Sequence, residues 1–278
     1  MLQFFVICVL LFNKDALTQD CEAEDQYPWS YHGPDNDPYY WDDDYPDCGK
    51  KDQSPIEINS KDTVELKVAE LQYNGFDTPV TKATVLNLGW TVMVIPEDDV
   101  SRYIQWGKNT FIFDEIHFHF GTASDPGAEH VIEGTRYEME IHFVTHRDNE
   151  PDSLVVVASL MQATDDQNSE FDPIIEVLPK IQYRNDSTEL ESDLNLVGLL
   201  PQNGGSYYYY IGSNSIPPCQ SGYEWFVLKD IGEVGNDQLD EFMTLYSVGK
   251  DDASDSCRMG QNYRPEQDLN NRVILSSE

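Results

Sequence analysis

Positive charge is what this sequence has least of. Its 17 Lys and Arg stand against 51 Asp and Glu, a formal net charge of -34 over 278 residues. A surface of that sign repels phosphate backbones and anionic headgroups, which excludes nucleic acid and membrane surfaces as partners. It draws cations instead, so weak association with Ca2+, mineral or a basic protein is expected. Long apolar runs are also missing. The run MLQFFVICVLLF at residues 1–12 falls short of the ~20 apolar residues a membrane-spanning helix needs. It has the length of a secretory hydrophobic region, with Ala16 and Thr18 near the cleavage point, although no basic residue precedes it. We read residues 1–18 as a signal peptide and 19–278 as one domain of a secreted, extracellular protein. A buried first strand or helix is the alternative reading of the leader.

Thiolate metal chemistry is excluded next, because the 5 cysteines form no CxxC pair and no cluster with histidine. Removal of the signal takes Cys8 and leaves Cys21, Cys48, Cys219 and Cys257. An even number in an exported chain points to disulfides, with three possible pairings. No EF-hand is present: the acidic runs DNDP and WDDD lack the ligand spacing and the central Gly of that loop. One N-glycosylation sequon, Asn185-Asp186-Ser187, lies in a polar setting.

Aromatic residues are plentiful, with Tyr 16, Phe 12 and Trp 5. The acidic segment 21–52 carries Trp29, Tyr31, Tyr39, Tyr40, Trp41 and Tyr45, rings that a purely solvating tail does not need. It reads as an irregular segment laid over the domain, rings docked and carboxylates in water. Beyond it, ATVLNLGWTVMVI, NTFIFDEIHFHF and YEMEIHFVTH are β-branched and aromatic runs separated by turn residues. SLVVVASLM is a strand buried on both faces, and WFVLKDI and RVILS are further strands. Asp172-Pro173 reads as an N-cap with Pro at the first helical position, and Leu239, Phe242, Met243 and Tyr246 have helical spacing over 237–246. The fold class is mainly β, with a few short helices and no linker dividing it.

The segment that carries chemistry is EIHFHFG. Residues two apart on a strand share a face, so His117 and His119 project side by side with Glu115, while Phe118 and Phe120 face packing. In YEMEIHF, Glu138, Glu140 and His142 share a face. Antiparallel pairing of the two strands would bring His142 to the pair. Three neutral imidazoles suit Zn2+ and leave its fourth position open, the arrangement of a catalytic site. Glu115 and Glu140 are placed to orient ligands rather than to bind.

With these residues in view, the chain resembles an α-class carbonic anhydrase from Trp29 to about Ile274. WSYHGP, QSPIEI, HFHFG, AEH, EIH, YYYYIGSNSIPPC, WFVLKD and NYRPEQDLNNR follow in that family's order. The resemblance implies a large twisted, mostly antiparallel sheet of about ten strands with peripheral short helices, and a cleft ending at zinc. It implies zinc-dependent reversible hydration of carbon dioxide to bicarbonate and a proton. By position, the zinc ligands are His117, His119 and His142. Glu140 accepts from His142, and Glu115 stands where the family has an amide. The family's hydroxyl–carboxylate gate corresponds to Ser215, usually Thr, and Glu129. The carbon dioxide pocket corresponds to Val144, Val156 and Trp225, with Asn214 in place of a leucine and Ile216 in place of a second threonine.

Trp90 occupies the position of the family's proton-shuttle histidine, and an indole cannot cycle a proton near pH 7. Tyr31 remains for a water network, and His32 reads as a surface or capping residue, with a substitute proton shuttle as the alternative. His130 matches the family's structural histidine, and His146 reads as structural on an outer part of its strand. The family's extracellular disulfide corresponds to Cys48–Cys219, which leaves Cys21–Cys257, with an intermolecular Cys21 bond as its rival. The competing function is a weakly active or inactive acidic matrix or calcium-binding protein of the same family. The acidity fits a mineralising fluid or a high-salt habitat equally.

Overall fold

Alternation of apolar residues builds the sheet strand by strand. In Ala83–Asn87 every second residue is buried, and Asn109–Phe120 and Met139–Arg147 follow where β-branched and aromatic residues crowd the sequence. The computed structural model describes Cys21, residues 28–33 and residues 35–277. The signal-peptide reading of residues 1–18, and part of the acidic segment, lie outside the described residues.

The main sheet has 13 strands, ten of them in one continuous path. Its centre is the antiparallel trio Asn109–Phe120, Met139–Arg147 and Glu150–Thr164. Pairing is mostly antiparallel. The parallel exceptions join Glu150–Thr164 to Ser221–Leu228 and to Gly232–Gly235, and Ile274–Ser276 to Thr63–Glu65. The mainly β class holds, and the sheet is larger and more mixed than the sequence suggested. The run SLVVVASLM sits within Glu150–Thr164, with Val155 through Met161 buried. One apolar face of the sheet packs Phe111, Phe118, Phe143, Phe226 and Leu239 into the largest core cluster. The opposite face buries Ile56, Val156, Tyr210 and Trp225.

The helices differ in detail from expectation. Asp172 opens the helix Asp172–Ile175 rather than capping it. The capping contact lies upstream, where the Asn168 side chain accepts the Glu170 N–H at 3.0 Å. The helix expected over 237–246 runs Asn236–Phe242, burying Leu239 and Phe242. Tyr246 leaves it because its N–H is taken by Gln182 O at 2.8 Å and its ring stacks on Tyr183.

The N-terminal segment docks by its indoles. Trp29 and Trp41 are buried and pack edge to face at 5.3 Å, while Tyr39 and Tyr40 stay exposed. They cluster with Cys48 and Cys219, and Tyr31, Trp90 and Ile216 pack against them. Disulfides join Cys48 to Cys219 and Cys21 to Cys257. The first ties the N-terminal segment to the loop carrying Ser215.

Candidate metal centre

Register decides the site. Asn109–Phe120 and Met139–Arg147 run antiparallel with His142 opposite His117 and Glu140 opposite His119. Directly opposed residues point to the same face, so three imidazoles converge from two strands. Their ring centroids lie 4.5 to 5.3 Å apart. One nitrogen from each ring lies within 4.8 Å of the others.

The outer nitrogen of each ring is engaged. His117 Nδ1 meets Glu115 Oε1 at 2.9 Å, His119 Nδ1 meets Asn262 O at 2.7 Å, and His142 Nε2 meets Glu140 Oε1 at 2.7 Å. A carbonyl and two carboxylates can only accept, so each outer nitrogen carries the proton and each inner one is a bare lone pair. His142 Nδ1 and His117 Nε2 then face each other at 3.1 Å, and the buried His119 Nε2 has no partner. Converging lone pairs repel one another, and a cation placed between them would relieve that repulsion. The donor set, three neutral imidazoles, is that of a zinc site with one position open. Burial first, then the neighbouring His119, holds His142 well below its ordinary pKa, and burial lowers His119 as well. Both are thereby kept neutral, as ligands must be.

A second register row brings the apolar residues together. Glu115, Val144, Val156 and Trp225 are successive partners across four strands. Val144 is half-buried, Val156 and Trp225 are buried, and the indole packs edge-on to His142 at 4.9 Å. Trp225 Nε1 donates to Ser213 O at 3.0 Å, anchoring the loop that follows. Asn214 and Ile216 are half-buried on that loop, and the Asn214 N–H donates to Gln220 O at 2.9 Å.

Ser215 is buried, and no Ser215–Glu129 hydrogen bond forms among the described residues. Glu129 is fully buried. Its Oε1 accepts the Arg264 N–H at 3.0 Å, and its Oε2 is a buried acceptor with no partner. The Tyr31 hydroxyl is likewise buried and unpartnered. Its pKa is raised well above the usual phenol value by burial and by the Glu129 charge. Trp90 packs on Trp29 at 6.1 Å and on His117 at 5.7 Å. His130 bridges Glu140 and Tyr210. His146 pairs with Asp114 at 2.8 Å, and His32 is exposed. Glu138 precedes the strand, and its carboxylate accepts the Ala163 N–H at 2.8 Å. Asn185 sits exposed in a turn.

Sequence reasoning passed over two residues that hold the site. Asn262 accepts from the Phe120 N–H at 2.7 Å, donates to Phe118 O and Trp90 O, and presents its own carbonyl to His119. Arg264 is buried and ties together Gln53, Ser54 and Cys48 through uncharged acceptors. Burial lowers its pKa to about 10. Both lie in an irregular segment, where no periodicity marks a polar residue as internal.

A family model described as eukaryotic-type carbonic anhydrase matches residues 36–278. The chain is 30% identical to carbonic anhydrase 6 of Bos taurus over 265 residues, covering 91% of this chain and 81% of the relative. It is 31% identical to carbonic anhydrase 6 of Canis lupus familiaris over 263 residues, covering 90% and 80%. With human carbonic anhydrase 12 it shares 29% identity over 264 residues, covering 90% and 73%. A triad of inward lone pairs on a large mixed sheet and a family match over most of the chain agree, and the chain belongs to the eukaryotic-type carbonic anhydrase family.

Proposed function

We propose that this chain catalyses the reversible hydration of carbon dioxide at a zinc ion held by His117, His119 and His142, without a histidine proton shuttle. The observation that carries this reading is the convergence of three imidazole lone pairs whose outer nitrogens are all taken by acceptors. When bound, zinc supplies the positive charge that makes water a nucleophile near neutral pH. The remaining chemistry belongs to the chain. Glu115, Asn262 and Glu140 hold the three rings in one tautomer and orientation. The unpartnered Oε2 of Glu129 is assigned as the acceptor for the Ser215 hydroxyl, a hydrogen bond not formed in this structure, and the hydroxyl would then have a lone pair to orient the attacking water. The Ser215 N–H is the donor for the charge that grows on the product oxygen. Val144, Val156 and Trp225 offer the uncharged substrate an apolar wall, which Asn214 and Ile216 reshape.

Export of the proton is the weak step. Trp90 has no titratable group, and Tyr31 is buried with a raised pKa, so protons leave through water and small buffers. Secretion is part of the same reading, supported by two disulfides in one chain, as is glycosylation at the exposed Asn185. The test is metal analysis together with sulfonamide-sensitive carbon dioxide hydration by the purified protein. About one zinc per chain and activity are expected, with both lost on His119→Ala. A fully loaded His119→Ala variant would sink the ligand assignment, and a zinc-loaded but inert parent would make the chain a matrix or binding protein.

A further inference from the structure

Four exposed apolar side chains collect at one edge of the main sheet, far in register from the metal centre. Val64 is 47% exposed, Leu66 43%, Val273 57% and Ile211 53%. Register makes them one face. Tyr209, Leu275 and Val64 are successive partners across three strands. Ile211 lies two residues from Tyr209 on its strand and so points the same way, and Leu66 and Val273 adjoin the ends of the strands that carry Val64 and Leu275. The next row, Tyr208, Ser276 and Glu65, faces the opposite side. The strand Thr63–Glu65 therefore carries Val64 on one face and Glu65 on the other, where the Lys229 ammonium lies over the Tyr208 ring at 5.1 Å.

It is also the end of the sheet's path, with no further strand paired to it among the described residues. The Leu66 N–H turns inward to Ser276 O at 3.0 Å. The Thr63 N–H is taken by Ser60 O, and alternation turns the Glu65 N–H and the C=O groups of Thr63 and Glu65 outward, a short template for one added strand. A second copy fits this template poorly, because it sets Glu65 near Glu65 and brings two chains of charge -34 together.

We propose that this edge binds an extended segment alternating apolar and basic residues, added as a further strand. Its apolar side chains continue the row of Val64 and Leu66, and a basic side chain meets Glu65 on the other face. Lys61 and Lys67 flank the strand, which fixes the basic residue at its centre rather than its ends. The acidity of the whole molecule then favours encounter with such a partner.

The probe is a short capped peptide alternating valine and lysine, labelled for fluorescence anisotropy and titrated into the full chain. A peptide of the same composition in scrambled order is the control. We expect the alternating peptide to bind at least about tenfold more tightly than the scrambled one. Glu65→Pro removes an outward N–H while sparing the inward Leu66 bond, and it should abolish that preference. Glu65→Gln should weaken binding less, and the double variant Val64→Asp, Leu66→Asp should abolish it with carbon dioxide hydration unchanged. Equal binding of both peptides would reduce the effect to bulk charge and overturn the proposal. So would a parent that self-associates through this edge, with the double variant monomeric, which assigns the face to a second copy.

Discussion

The indole of Trp90 lies against the imidazole of His117, ring centroids 5.7 Å apart and planes at 72°. An aromatic ring without a titratable group thus lies beside the candidate metal centre, at the position that the resemblance assigns to a proton shuttle. On the opposite flank Trp90 meets Trp29 of the N-terminal segment, so the position is filled by packing as well as chemically silent.

Replacing Trp90 by His should therefore raise turnover in dilute buffer, by about tenfold. That is below the ~100-fold or more of a well-placed general acid–base group, because Ile216 puts an apolar side chain where the family carries a threonine. The gain should shrink in concentrated imidazole-type buffer, with kcat/KM little changed. Stopped-flow hydration against buffer concentration checks this. Buffer-independent turnover in the parent, unaltered in the variant, would show that protons already leave by another route.

Glu115 places a carboxylate on His117 and leaves its Oε2 buried without a partner. Glu115→Gln keeps an acceptor for the ring but removes the charge. Zinc should then leave faster to a chelator, by about tenfold, at the low end of the 10–100-fold typical of groups that orient ligands. Competition with a chromophoric chelator measures it, and an unchanged rate would mean that the charge of Glu115 does not reach the metal.

Acid should destabilise the metal-free protein below about pH 6.5, the ordinary histidine value. His119 and His142 are both depressed in the fold by burial. Their stabilisation is fully present above the unfolded pKa and is lost as pH falls toward the folded values, because the unfolded chain takes up protons that the folded one refuses. Burial alone would raise the Glu140 carboxyl, but the charges and hydrogen bonds of His130 and His142 outweigh it and hold it well below the carboxylate range. That adds a second loss in stronger acid. Thermal melts of the metal-free chain should show Tm level from pH 8 to pH 7 and falling from about pH 6.5 to pH 4, and a Tm flat from pH 7 to pH 5 would contradict it.

Calcium should bind weakly and at many places. The carboxylates Asp42, Asp43 and Asp44 are exposed along one four-residue helix, with no loop to wrap a cation. Calorimetry should give a shallow, salt-sensitive isotherm. A single stoichiometric submicromolar site would show this reading wrong.

The strands and half of the metal centre were legible in the sequence for one reason, the two-residue repeat of a β-strand. It aligns His117 with His119 and Glu140 with His142, and it marks NTFIFDEIHFHF as a strand that the structure reproduces as Asn109–Phe120. Everything depending on which residues meet across the chain was decided by tertiary structure. The antiparallel register sets His142 opposite His117, 25 positions away in sequence. The fold also returns an irregular C-terminal segment so that Asn262 O reaches His119 across 143 positions. Polar residues in irregular segments show no periodicity, so Asn262 and Arg264 could not be told from surface residues. The apolar edge at Val64 was hidden for a related reason. Its side chains come from three strands distant in sequence, and only pairing turns them into one face.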